Sequence, residues 1–146
     1  MRSWKVLMRR SALSVGVLAV TALVLSQTAE GQKTKGKTRP AATKHFMAGI
    51  SGPNCGSLAK LFKDGPADDK AWATAVRNAA LLNELSYILM EDGRCPDKVW
   101  AGAAKTLREC SAKVLEAAEA KELDAAKGAF KKMLGACATC HGAHKG

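Results

Sequence analysis

The sequence predicts an all-α protein, an antiparallel four-helix bundle, and three observations carry that expectation. Ala, Leu, Lys and Glu, all good helix formers, are abundant from residue 45 to 146. Apolar residues recur there at spacings of three and four, and no alternating β-branched run breaks the pattern. Gly52-Pro53, Gly65-Pro66 and Gly93 with Pro96 punctuate it into segments of helical length. A three-helix bundle behind an irregular N-terminal segment is the competing architecture.

Taken in chain order, residues 1–31 read as a secretory signal peptide. Met1–Arg10 carries Arg2, Lys5, Arg9 and Arg10 with no acid, and Ala12–Leu25 is an almost unbroken run of Ala, Leu and Val. At about 1.5 Å per residue that run covers roughly 21 Å, short of a bilayer core of about 30 Å. The small-x-small sequence Ala29-Glu30-Gly31 completes the pattern of a cleaved leader. An uncleaved amphipathic anchor is the alternative. Export places the mature chain in the periplasm, where cysteines meet an oxidising environment.

Residues 32–43 follow as a basic segment with hardly a large apolar side chain, too poor in burial to order itself, and are expected to form a flexible arm. The formal charge of +10 is therefore misleading. Leader and arm hold most of the excess, and past Lys44 the chain sets 14 basic residues against 12 acidic ones. A nucleic-acid partner loses its support at that point. The total of 146 residues excludes a barrel enzyme or a full dinucleotide-binding fold and favours a single domain over 44–146.

Four helices are expected within that domain, near 43–63, 67–92, 97–119 and 124–143. The first carries the stripe Met47, Ile50, Leu58, Leu61, which Pro53 should kink or restart. The second carries Trp72, Val76, Ala79, Leu82 and Leu89, with Leu85 beside it. Trp100, Ala103, Leu107, Cys110, Val114 and Ala117 mark the third, and Ala126, Phe130, Met133, Cys137 and Cys140 the fourth. Asp97 and Asp124 are candidate N-caps, and Gly93 a candidate C-terminal glycine. The boundary at Ala120–Leu123 has neither Gly nor Pro.

Chemistry concentrates at the C-terminus, where Cys137-Ala138-Thr139-Cys140-His141 spells C-x-x-C-H. That is the attachment sequence of haem c. Two thiols three residues apart can each bond one of the porphyrin's two vinyl groups, and the adjacent His141 then reaches the iron. A dithiol redox pair, a Cys137–Cys140 disulfide, and a zinc site of Cys137, Cys140, His141 and His144 are the alternatives. The dithiol pair usually sits in a strand–helix unit that this sequence lacks, and the zinc ligands would be crowded. No paired carboxylates, nucleophile–base set or phosphate loop is visible, so no catalytic group is assigned and the protein is expected not to be an enzyme.

The motif lies at the end of the last of four expected helices, after Ala129-Phe130-Lys131-Lys132-Met133-Leu134. In this the chain resembles the class II c-type cytochromes, the cytochrome c-prime family and its low-spin relatives, over roughly residues 43–146. The resemblance implies a periplasmic four-helix bundle, often a homodimer, with one haem c among the helices. Cys137 and Cys140 match the thioether positions and His141 the proximal ligand. Low-spin relatives take a methionine near the start of the first helix as sixth ligand, and Met47 lies in that region. His45, two residues away, is the other candidate. Single-electron transfer with redox partner proteins is the implied function. A five-coordinate protein binding a diatomic gas (nitric oxide or carbon monoxide) is the alternative, and a small haem peroxidase would need His45 as its distal acid–base group.

Cys55, Cys95 and Cys110 remain. In an antiparallel bundle Cys55 and Cys95 fall at the same end, so Cys55–Cys95 is the favoured disulfide, closing a loop of about forty residues worth about 3–4 kcal/mol. Cys110, on the apolar stripe of the third helix, reads as a buried, inert thiol.

Overall fold

The computed structural model describes residues 34–145. The leader expected over 1–31, and the first two residues of the arm, lie outside that range. The described chain is all-helical, with four helices packed as a bundle. Helix α1 spans 43–64, α2 is Asp69–Ile88, α3 is Lys98–Glu119 and α4 is Leu123–His144. Among the described residues no helix is long and apolar enough to cross a membrane.

Helix α1 shows how the chain accommodates Pro53. An α-helical turn (Thr43–Phe46) passes into a π-helical turn (Met47–Ser51) and then into an α-helix (Gly52–Asp64) with the proline in its first turn. Proline has no N–H to give to the preceding turn, and its ring crowds the carbonyl four residues back. The wider turn relieves both problems: Gly52 N–H donates to Met47 O, five residues back, and the Asn54 side chain donates to Ile50 O at 2.7 Å. The extra residue also shifts the buried face downstream. Leu58 and Phe62 are buried while Leu61 is only half-buried, so the expected stripe drifts by one position.

The other helices follow their apolar spacing closely. Leu82 and Leu85 of α2, with Leu89 at its C-cap, meet Trp100, Leu107 and Val114 of α3 and Phe130 and Met133 of α4 in one core. Phe62 and Phe130 pack edge-to-face with centroids 5.7 Å apart, pinning the C-terminal half of α1 to α4. Asp97 caps α3 as expected, its carboxylate accepting from Trp100 N at 2.9 Å. Asp68 does the same for α2 through Ala71 N at 2.7 Å. Asp124 is not a cap: it lies in the first turn of α4, where its charge faces the positive helix end, and Glu122 occupies the cap position without a side-chain bond. Between α3 and α4, Lys121 takes a left-handed φ of 56°. A lysine there performs the turn normally given to glycine, so no composition signal marks it.

The described part of the basic segment, 34–43, is hydrogen-bonded to the turn that follows α2. The Asp92 carboxylate accepts from Thr38 N, Thr38 Oγ1 and Arg39 N, each at 2.9 Å. Lys37 N donates to Asp92 O. Arg94, its side chain fully buried, reaches Asp92 Oδ2 at 3.3 Å and Ala41 O at 3.1 Å, and lies over the Phe46 ring. The arm is thus held by backbone groups, which composition does not reveal. Gly36 lets it approach, because a Cβ there would collide with the Asp92 carboxylate. Gly93 does not end α2, whose cap is Leu89; it turns the chain with φ 75° five residues beyond Ile88.

Candidate functional site

The start of α1, the end of α2, the start of α3 and the end of α4 meet at one end of the bundle. There a cavity of ≈ 30 Å³ is lined by Met47 and Ser51 of α1, Leu89 after α2, Trp100, Ala103, Ala104 and Leu107 of α3, and Ala136, Cys137, Cys140 and His141 of α4. The structure therefore brings Met47 to the C-x-x-C-H residues, across some ninety residues of sequence. A smaller hollow beside it is lined by Thr43, Met47, Trp100, Cys140, His141 and His144. His45 is exposed and lines neither.

Each wall has a local cause. Trp100 is buried at 3 % exposure and its Nε1 donates to Leu89 O at 2.8 Å, joining the start of α3 to the end of α2. His144 stacks edge-to-face on Trp100 with centroids 5.3 Å apart. Its Nε2 lies 3.4 Å from Asp97 Oδ1 but outside hydrogen-bond geometry, leaving a buried nitrogen without a bonded partner. The sequence offers His144 only as a candidate zinc ligand. Its burial here reflects contact with Trp100, which its place one turn after His141 could have suggested.

The thiols differ in their electrostatics. Cys55 sits one turn after Ser51, and its thiol lies close enough to Ser51 and Cys137 for both to act on its titration. The neighbouring Cys55 thiol lowers the Cys137 thiol to about 7, against the opposing effect of burial. The Cys55 thiol is pushed up by the same contact and by burial. Burial, with Cys137 and Asp97 nearby, raises Cys140 to about 11. His141 titrates below its ordinary value because partial burial and the Lys145 charge disfavour the imidazolium. A neutral ring, with a free nitrogen lone pair, is the form that binds a metal.

All five cysteines are free thiols in the structure. Cys55 faces Cys137 rather than Cys95, because the face of α1 that bears Met47, Ser51 and Cys55 turns toward α4. Cys95 donates instead to Asp97 O at 3.4 Å. The favoured Cys55–Cys95 pairing is thus not formed. Cys110 is buried in the core. Among the described residues no three His, Cys, Asp or Glu side chains gather as a metal-holding cluster, so Cys137, Cys140, His141 and His144 do not converge as zinc ligands would.

The donor set is of the kind that would hold a covalently attached haem: two thiols three residues apart, an adjacent imidazole, a thioether lining the same cavity, and apolar walls. The cavity as it stands holds little more than water. A macrocycle needs α1 and α4 to part, and that seam is packed far more sparsely than the α2–α3 and α3–α4 seams. Exposed Lys131 and Lys132 lie off the cavity. Tyr87, also exposed, lies beneath the Arg108 guanidinium at 3.8 Å.

No protein family matches the chain. Searches of curated proteins and of solved structures likewise return no match.

Proposed function

We propose that this protein is an exported c-type cytochrome that carries single electrons between redox partner proteins. The observation that supports it most is the shared cavity: Met47 from the first helix faces the same space as Cys137, Cys140 and His141 from the last. In this reading Cys137 and Cys140 would tether one haem c through their thiols, and the His141 nitrogen and the Met47 sulfur would bind its iron. A bound haem would supply a one-electron iron couple, and thioether with imidazole ligation would raise its potential.

The chain's own residues do the rest. Leu89, Trp100, Ala104 and Leu107 keep water from the site and favour the less charged state of its contents. The Trp100 bond to Leu89 O and its contact with His144 fix the walls from which His141 projects. The thiols, joined to the backbone of one helix, retain the group when the bundle opens.

Optical spectroscopy of protein produced with a haem-attachment system tests this reading. Expected are a Soret band that survives denaturation and acid–acetone extraction, and a methionine-to-iron charge-transfer band that Met47→Ala abolishes. Cys137→Ser with Cys140→Ser should leave no covalent haem. Wild-type protein with no covalent haem refutes the proposal. High-spin features with rapid carbon monoxide binding refute the Met47 ligand and leave a gas-binding haem protein.

A further inference from the structure

We propose that Cys55 is the redox partner of Cys137: in the haem-free chain the two thiols form a disulfide that ties α1 to α4 and withholds Cys137 from attachment chemistry. Several features of the structure converge on it. Ser51 and Cys137 line the same cavity, and Cys55 follows Ser51 by one helical turn on that face of α1. The Cys55 and Cys137 thiols are close enough that each is the largest influence on the other's titration. Cys95 is turned to Asp97 O, and Cys110 is enclosed in the core. Cys55 has no place in the C-x-x-C-H set, yet it stands against one of its thiols.

The step is a thiol–disulfide exchange, with a protein or low-molecular-weight disulfide as oxidant. The Cys137 thiolate attacks that disulfide, breaking its S–S bond and releasing one thiol. Cys55, losing its proton, then displaces the second sulfur, and the Cys55 Sγ–Cys137 Sγ bond forms. Two thiols have lost two protons and two electrons, and the oxidant has become two thiols. A dithiol reductant runs the sequence backwards and returns both thiols. The cross-link itself requires nothing of the haem reading, whereas its withholding role rests on the proposed function.

Peptide mapping of the haem-free full-length chain tests the bond. The protein is equilibrated in a glutathione redox buffer, alkylated, digested without reduction and sequenced by mass spectrometry. A dominant species joining the Cys55 peptide to the one bearing Cys137, with fragmentation assigning the bond to Cys137, is the expected result. Cys55 recovered alkylated, or joined to Cys95, overturns the inference, and so does a dominant Cys137–Cys140 bond. Cys55→Ser should leave Cys137 open to alkylation, and Cys95→Ser should leave the cross-link intact.

Haem loading with and without a dithiol reductant tests the withholding role. Omitting the reductant should lower the covalent haem yield of oxidised wild type at least about fivefold and change Cys55→Ser or Cys55→Ala less than about twofold. Equal yields for wild type in both conditions overturn that role. No haem in wild type even with reductant refutes the cytochrome reading, while the peptide map still decides the bond.

Discussion

Trp100→Phe is the substitution that most directly probes how the cavity end is held. Trp100 is 3 % exposed, and its Nε1 donates to Leu89 O at 2.8 Å. Leu89 caps α2, so that helix has no following N–H for this carbonyl, and the indole supplies the missing donor. Phenylalanine removes the donor and strands a buried acceptor, at about 1–3 kcal/mol. Its ring also fills less space than the indole, and partial collapse of the gap leaves about 1–2 kcal/mol of lost packing. The edge-to-face contact with His144 is open to either ring, so it contributes little to the difference. The total is about 2–5 kcal/mol, a large part of the stability of a domain this size. Urea unfolding of the haem-free chain, followed by far-UV circular dichroism, should show the midpoint falling by about 1–2 M at unchanged slope. Trp72→Phe, at a half-buried position, is the comparator and should cost under about 1 kcal/mol. A Trp100→Phe loss no larger than that of Trp72→Phe would refute the assignment of the Leu89 bond as the joint between α2 and α3.

A double-mutant cycle on Phe62→Leu and Phe130→Leu should return a coupling of about 0.5–1.5 kcal/mol; additive losses would show that the two rings do not meet. The Asp92 carboxyl titrates at about 2: burial acts against this, but the Thr38 and Arg39 bonds and the Arg94 charge outweigh it. A depressed folded pKa stabilises the native state above the unfolded value of 3.8, and the contribution is lost as pH falls toward about 2. The gap in urea midpoint between wild type and Asp92→Asn should therefore narrow through that window, and a gap constant with pH would sink the claim. Gly36→Val should drive 34–42 off the Asp92 turn, so that hydrogen exchange at the Thr38 and Arg39 amides accelerates while Val114 in the core keeps its protection. Unchanged exchange at those two amides would show that the arm approaches Asp92 by another route.

The helices were legible because their information is local. The three-and-four spacing from Trp100 to Ala117 marks a face that is buried throughout, and Asp97 precedes its helix as a cap should. Met47 could be placed near the C-x-x-C-H residues only through a resemblance, since no local pattern relates positions that far apart. What escaped the sequence depends on backbone geometry or on helix phase. The Asp92 turn holds the arm through main-chain N–H groups, which every residue but proline carries. The π-helical turn before Pro53 moved the buried face from Leu61 to Phe62 and aimed Cys55 at Cys137, and spacing arguments that assume a constant 3.6-residue turn cannot follow that shift. Lys121 in a left-handed turn concealed the start of α4.

Thr43 and His144 share the hollow beside Met47, so the cavity end is built from the first and last turns of the domain. That arrangement sets an order of assembly. The α2–α3 and α3–α4 pairs join neighbours in the chain, whereas docking α1 on the C-x-x-C-H turn closes the longest loop in the fold and comes at the greatest entropic cost. During synthesis Met47 is present long before Cys137, and it waits without its counterpart until α2, α3 and most of α4 have been made. The two thiols and His141 therefore reach their surroundings after the other three helices have been made and are available to receive them.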